Sequence, residues 1–88
     1  MAQETVITLS NTWTGLSTLI TVDADTTYYI GNRNGGIIWG CEGTSTPADD
    51  AGDPCLPYKR IEYKKGEQAD LYIRADQGTM TVNISKAA

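Results

Sequence analysis

Apolar and polar residues alternate along three short segments in the last third of the chain. Residues 60–64, 69–74 and 79–85 each carry an apolar side chain at every second position. Successive side chains of a strand point to opposite faces, so this period of two is typical of antiparallel strands that have one face on a core and the other in water. We therefore predict three strands here, separated by short turns at 65–67 and 76–78.

The first half of the chain contains the same kind of short segment. Residues 4–9, 18–22 and 26–31 are rich in Thr, Val, Ile and Tyr, the residue types that favour strands. The Asn-Arg-Asn-Gly-Gly sequence at 32–36 favours a turn, because Asn-Gly and Gly-Gly adopt positive φ at low steric cost. It predicts a hairpin that joins the strand before it to a further strand over 36–40.

The longest irregular stretch covers residues 41–58. It contains all three prolines of the chain together with Asp49, Asp50 and Asp53. Proline cannot donate a hydrogen bond to a sheet, so this composition predicts a loop. A loop of this length is uncommon in a small domain unless it has a role or is crosslinked.

No window of the chain holds the apolar i, i+3, i+4, i+7 pattern of a stable helix. The sequence thus predicts an all-β fold: a small antiparallel β-sandwich or barrel of six to seven short strands with one long Pro/Asp-rich loop. We detect no internal repeat, and we expect the 88 residues to form a single β domain over 1–88. A chain of this size buries only about 63% of its unfolded surface, so its stability margin is small.

The composition excludes several classes of function. The chain has no His, which rules out a Ser-His-Asp triad, a Cys-His pair and an imidazole metal ligand. Its formal net charge of -4 disfavours binding to nucleic-acid phosphates. No stretch approaches the roughly 18 apolar residues of a membrane span. We therefore expect a binding or structural module rather than an enzyme, with no cofactor, no metal, no nucleic-acid partner and no membrane.

Cys41 and Cys55 flank the irregular stretch. A disulfide between them would close a loop of about 15 residues, worth about 3 kcal/mol in the chain-entropy treatment. The alternative is two free thiols in a reducing cytosol. Zinc is disfavoured under either alternative, because two Cys without His leave a tetrahedral site short of ligands.

Two groups of acidic residues invite a chemical interpretation. Glu42 and the three loop aspartates suggest calcium, but their spacing does not match an EF-hand loop, and a solvated acidic loop is the simpler interpretation. Asp23 and Asp25 suggest the carboxylate pair of a glycosidase. Both lie in a turn, however, where Asp is favoured by hydrogen bonds to its own backbone. We expect no pocket of the size that a substrate needs.

The aromatic residues are Tyr and Trp, because the chain has no Phe. Trp13 and Trp39 are expected in the core more than on a binding platform, and Trp39 remains a candidate for partner contact. Tyr29 and Tyr72 fall on the polar faces of their predicted strands. A Tyr ring offers contact area with little entropy loss, so these two are also candidates for contact with a partner.

Five short motifs follow one another along the chain: Trp-Thr-Gly-Leu at 13–16, Thr-Tyr-Tyr-Ile-Gly-Asn-Arg at 27–33, Pro-Ala-Asp-Asp-Ala-Gly at 47–52, Gly-Glu-Gln-Ala-Asp-Leu-Tyr-Ile-Arg-Ala at 66–75 and Gly-Thr-Met-Thr-Val at 78–82. In this order they resemble the small all-β virion proteins of tailed bacteriophages, of the head decoration, head–tail or tail accessory type. Tyr72 stands where such proteins commonly have Trp, and the pair Cys41 and Cys55 is not part of their pattern.

The resemblance implies a non-enzymatic structural protein of the virion. We expect a capsid decoration (cement) protein that binds the major capsid protein or another virion protein. It would be made in the host cytoplasm and sit on the capsid surface, in agreement with a start that has no secretory signal. Self-association, for example as a trimer, is expected through an edge strand. The alternatives are a tail- or fibre-associated carbohydrate or receptor-binding module and a small hydrolase that uses Asp23.

Overall fold

The computed structural model describes residues 4–23, 25–33, 35–48, 51–64 and 70–86. These residues form eight strands and one short helix, and the prediction of an all-β fold is confirmed. In chain order the elements are β1 (Glu4–Leu9), β2 (Thr14–Gly15), α1 (Leu16–Leu19), β3 (Thr27–Asn32), β4 (Ile38–Gly43), β5 (Asp53–Cys55), β6 (Arg60–Lys64), β7 (Asp70–Ala75) and β8 (Met80–Lys86).

The strands form two antiparallel sheets of four strands, packed together as a sandwich. Sheet A has the order β1-β8-β3-β6, and sheet B has the order β2-β7-β4-β5. The alternating segments predicted at 4–9, 60–64, 69–74 and 79–85 match β1, β6, β7 and β8 to within one residue at either end.

Inward side chains from alternate strand positions fill the space between the sheets. Ile30 and Val82 of sheet A and Ile38 and Ile73 of sheet B are fully buried. The chain has no Phe, and Tyr63 supplies the largest of the fully buried side chains. Burying a side chain of this kind contributes about 1.5–3 kcal/mol, so this layer is the main source of stability.

The hairpin predicted at 32–36 is wrong, because β3 and β4 belong to different sheets. Both edges of β3 are already paired, with β6 on one side and β8 on the other. The chain therefore crosses from sheet A to sheet B between these strands. The side-chain amide of the buried Asn32 holds the crossing, since it donates to the carbonyl oxygens of Gly36 at 2.8 Å, Cys55 at 3.0 Å and Leu56 at 3.3 Å.

The strand predicted over 18–22 is also wrong. The helix α1 covers the start of this segment, and the backbone N–H of Ile20 donates to the carbonyl of Leu16 at 3.0 Å. Leu16 is fully buried, and Leu19, Ile20 and Val22 pack partly buried against the core. The apolar residues here therefore pack against the core and do not extend a sheet.

The irregular stretch 41–58 is shorter than predicted, because β4 continues to Gly43 and β5 lies within it. Pro54 belongs to β5, opposite Trp39. It is tolerated because β5 is an edge strand, where a missing N–H need not break the ladder. Asp49 and Asp50, like the turn at 65–67, lie outside the described residues, so the prediction of a solvated acidic loop is tested only at its ends.

Candidate functional site

Of the two alternatives for Cys41 and Cys55, the structure shows two free thiols. Cys55 lies opposite Ile38 in the β4–β5 register, and both are buried against the core. Cys41 lies three positions further along β4, which puts it on the other face of the sheet and about 10 Å along the strand. A disulfide needs Cα atoms within about 7 Å and side chains that point at each other, so this geometry excludes the bridge.

Two buried titratable groups are held in their neutral forms. Burial raises the pKa of the Cys55 thiol above its ordinary value, and a hydrogen bond from the Asn32 backbone only partly opposes this. Burial also raises the pKa of the Tyr63 hydroxyl, and the negative charges of Asp70 and Glu42 raise it further. A protonated thiol and a neutral phenol are poor nucleophiles, so neither group is prepared for covalent chemistry.

The three predicted contact residues do not share a surface. Tyr29 alternates with the buried Tyr28 and Ile30, so it lies on the outer face of sheet A. Trp39 and Tyr72 lie on the outer face of sheet B, where Trp39 is opposite Arg74 in the β4–β7 register. The two faces are on opposite sides of a sandwich whose smallest extent is 18 Å. One flat partner therefore cannot cover all three residues.

The outer face of sheet B carries a stack of two indole rings around one guanidinium group. The Arg74 guanidinium carbon lies 5.1 Å from the Trp13 ring centroid and 5.7 Å from that of Trp39. The Trp39 indole N–H donates to the Asp76 carboxylate at 2.9 Å, and that of Trp13 donates to the Ala48 carbonyl at 3.0 Å. Cation–π contacts and hydrogen bonds thus fix both rings.

Trp13 is buried, as predicted, but outside the main core. The hydrophobic cluster between the sheets does not include it. A Cβ added at Gly52 would lie only 3.1 Å from its ring, so the segment that leads into β5 covers the indole. Trp39 is half-buried and lies on the surface, which leaves it available as a contact residue.

The outer face of sheet A places an Arg over the predicted contact residue Tyr29. The Arg60 guanidinium carbon lies 4.2 Å from the ring centroid, a typical cation–π distance. In the β3–β6 register Arg60 is opposite Gly31, and Tyr29 is opposite Glu62.

A groove next to this stack gathers cationic side chains. It has a volume of about 530 Å³ and is lined by Gly31, Asn32, Arg33, Tyr58, Lys59 and Arg60. We call it the basic groove. Sequence reasoning missed it: the pair Lys59-Arg60 is visible along the chain, but Arg33 joins it only through the pairing of β3 with β6.

A second opening contradicts the expectation that the chain has no pocket of substrate size. A cleft of about 710 Å³ lies where β4 and β5 of sheet B face β6 of sheet A, and its lining includes Glu42, Asp53, Glu62, Lys59 and Arg60. All three of these acidic residues are exposed. Glycoside hydrolysis places its general acid in an apolar surrounding, and the exposed carboxylates of this open cleft do not have one.

The pair Asp23 and Asp25 is structural in this fold. Asp23 forms an ion pair with Lys86, with 2.7 Å between the carboxylate oxygen and the ammonium nitrogen, and its backbone N–H donates to the Tyr28 hydroxyl at 2.7 Å. The hydrogen bond and the charge of Asp23 raise the pKa of Lys86. Asp25 lies in the turn with a φ of 56°. These contacts fasten the turn before β3 to the end of β8 and do not form a pair of catalytic carboxylates.

The described part of the chain contains neither a cluster of metal-ligand side chains nor a helix that could span a membrane. Within it, no three Cys, Asp or Glu side chains are grouped so that they would hold a metal ion. Its one helix has four residues, and none of its helical segments has the length and apolar character that spanning a membrane requires.

Comparison with known proteins found no match: no protein-family model, no curated protein and no solved structure is significantly similar to this chain. The resemblance to phage virion proteins therefore stays a prediction.

Proposed function

We propose that this chain is a non-enzymatic structural protein of a bacteriophage virion, most specifically a capsid decoration (cement) protein that binds the major capsid protein. The order of the sequence motifs supports this, as does the small β-sandwich. The observation that carries the proposal is the placement of amphipathic side chains on the outer faces, each fixed by neighbours. Arg60 lies on Tyr29, and Arg74 lies on Trp39.

Fixed side chains of this kind suit adhesion. An interface has to immobilise its side chains, at about 0.5–1.5 kcal/mol for each flexible one, and rings already held by an Arg have less freedom to lose. Tyr, Trp and Arg are also the residues that contribute most to interfaces. On a symmetric shell with many copies, modest contacts at each copy add up to firm attachment when copies are linked to each other.

Self-association is proposed through sheet A. Its edge strand β1 has six residues, and on it the Val6 side chain is 65% exposed. The edges of sheet B are poor templates for pairing, because β2 has two residues and β5 contains Pro54. A second copy that pairs along the β1 edge would build the expected homo-oligomer, and a ring such as a trimer closes if this contact is heterologous.

The alternative function, a carbohydrate or receptor-binding module, is less well supported. A sugar stacks on a free aromatic face, but one face of Tyr29 is covered by Arg60 and one face of Trp39 is occupied by Arg74. Glycan-array binding that is lost in Tyr29→Ala or Trp39→Ala, with both variants folded, would favour this alternative over decoration.

Quantitative mass spectrometry of purified particles tests the proposal. We expect the chain in many copies per particle, in a simple ratio to the major capsid protein. The signal of the major capsid protein in the same sample is the internal standard. Absence of the chain from particles, or one to a few copies per particle, would contradict a decoration role.

A further inference from the structure

The basic groove concentrates positive charge on a chain that is acidic overall. The sequence has 7 basic residues against 11 acidic ones. Three of the seven, Arg33, Lys59 and Arg60, line this one groove, and all three are exposed. Among the described residues of its lining there is no carboxylate, and the nearest acidic neighbour along β6 is Glu62, two positions beyond Arg60.

Apolar surface accompanies these charges. Tyr58, which lines the groove, is 77% exposed, and Leu56, two residues before it on the wall of the neighbouring cleft, is 52% exposed. Together with Val6 they are the large hydrophobic side chains most exposed to water in the described part of the chain. An exposed Tyr beside two Arg is the composition found at the centre of protein interfaces.

The backbone presents Tyr58 in an unfavourable conformation. Its φ is 62°, in the left-handed region that bulky side chains rarely adopt. Burial of the ring does not compensate, because the ring is exposed to water. The turn sets this φ, because the hydrogen bond from the Lys59 N–H to the Leu56 carbonyl places Tyr58 at the third position of a β-turn, where type II turns require a positive φ and favour Gly or Asn.

Hydrogen bonds hold the turn that carries Tyr58. The Asn32 backbone N–H donates to the Lys59 carbonyl at 2.8 Å, and the Lys59 N–H donates to the Leu56 carbonyl at 3.1 Å. The Asn32 side chain also donates to the Leu56 carbonyl, at 3.3 Å. The turn is thus fastened to the end of β3, next to Arg33, and the groove is formed before any partner arrives.

We propose that the basic groove docks an acidic segment of a partner protein, with the cationic side chains pairing its carboxylates and with Tyr58 covering its apolar residues. Where it identifies the surface that binds the capsid, this inference rests on the proposed function. Under that function, the side of the molecule that carries Tyr29 and Arg60 binds the capsid, and the side that carries Trp39 does not.

A protein segment fits the groove better than other anions do. A nucleic-acid strand needs a longer row of cations along its backbone than the three that line this groove. A small anion such as phosphate would leave the exposed Tyr58 without a function. A carboxylate-bearing peptide uses both the charges and the apolar surface.

NMR titration of the full ¹⁵N-labelled chain with a capped oligo-glutamate peptide tests the inference. At low ionic strength we expect amide shifts confined to residues 31–33 and 58–60. Raising the ionic strength, which shortens the screening length from about 30 Å to about 8 Å, should weaken binding. An oligo-lysine peptide of the same length should leave the amides of residues 31–33 and 58–60 unshifted.

The variant Arg33→Gln combined with Lys59→Gln should bind the oligo-glutamate peptide about three- to tenfold more weakly. The matched control combines Lys64→Gln with Lys86→Gln, which removes the same charge from exposed positions outside the groove. This control should keep the affinity of the unmodified chain. Spectra of both variants without peptide establish that they are folded.

Three results would overturn the inference: shifts that are absent or scattered over the surface, equal weakening in both double variants, or equally tight binding of inorganic phosphate or a single-stranded oligonucleotide to the same residues. Its failure is distinct from failure of the proposed function. If particles contain many copies of the chain but its groove binds no peptide, the decoration role stands and the groove inference fails. If the chain is absent from particles but binds the peptide, only the groove inference stands.

Discussion

At the residue scale, Tyr58 and Gly78 have nearly the same φ, but only Tyr58 carries a side chain. Their φ angles are 62° and 61°. In this left-handed region a residue with a Cβ is destabilised by about 1–2 kcal/mol, whereas glycine is not. Neither position is compensated by packing, since Tyr58 is exposed and a Cβ at Gly78 would meet no atom within 4 Å. The two positions should therefore respond to substitution in opposite directions.

The change Tyr58→Gly should raise the free energy of unfolding by about 1 kcal/mol, or about 4–8 °C in Tm. Gly78→Ala should lower it by a similar amount. Thermal unfolding followed by circular dichroism measures both. Gly35→Ala is the control, because a Cβ there is also free of contacts but φ is not left-handed. Equal stability of the Gly78→Ala and Gly35→Ala variants would show that the conformational argument is wrong.

The thiols provide a second prediction at this scale. Cys41 is half-buried and should react with a thiol reagent in the folded protein, whereas Cys55 is buried with a raised pKa and should react only on unfolding. We expect one thiol to titrate in buffer and two in denaturant, and a reductant should leave Tm unchanged. Finding no titratable thiol in denaturant would reveal the bridge that the structure excludes.

At the element scale, the alternation of residues predicted most strands but not their partners. Burial of every second side chain is a local property, which is why β6, β7, β8 and the outward placement of Tyr29 were predictable from the sequence. Strand pairing is not a local property. The Asn-Gly sequence favours a turn after β3, but it does not reveal that β3 is already paired on both sides, with β6 and β8, so that the next strand joins the other sheet. The basic groove could not be predicted from the sequence for the same reason, because Arg33 and Arg60 come together only through the register of β3 with β6.

The crossing between the sheets depends on Asn32, which is 1% exposed. Replacing it with Leu removes the donor to three carbonyl groups. The Leu56 carbonyl keeps the bond from the Lys59 N–H, but the buried bond to the Cys55 carbonyl is lost, and a buried acceptor left unsatisfied costs about 1–3 kcal/mol. We expect Asn32→Leu to lower the free energy of unfolding by at least about 2 kcal/mol in urea titrations. Asn83→Leu, on the outer face of β8, is the control and should change it by less than about 0.5 kcal/mol. Similar losses in the two variants would contradict this role for Asn32.

At the scale of the whole molecule, the sandwich measures 30 × 28 × 18 Å, with fixed aromatic and Arg side chains on both outer faces. Its broad faces suit contact with a larger surface, and the basic groove opens on the side of sheet A. The wide cleft between β5 and β6 carries exposed side chains of both charges, and none of the described acidic residues of its lining is buried. Shape, charge and fixed side chains are the grounds on which we propose a role in adhesion.

Electron cryo-microscopy of the particle that carries this chain would show where the sandwich sits. We expect density of its size at many symmetry-related positions on the capsid exterior, with the side that carries Tyr29 and Arg60 turned towards the major capsid protein. Density restricted to the tail tip, or a particle whose shell lacks the chain altogether, would contradict the proposed decoration role.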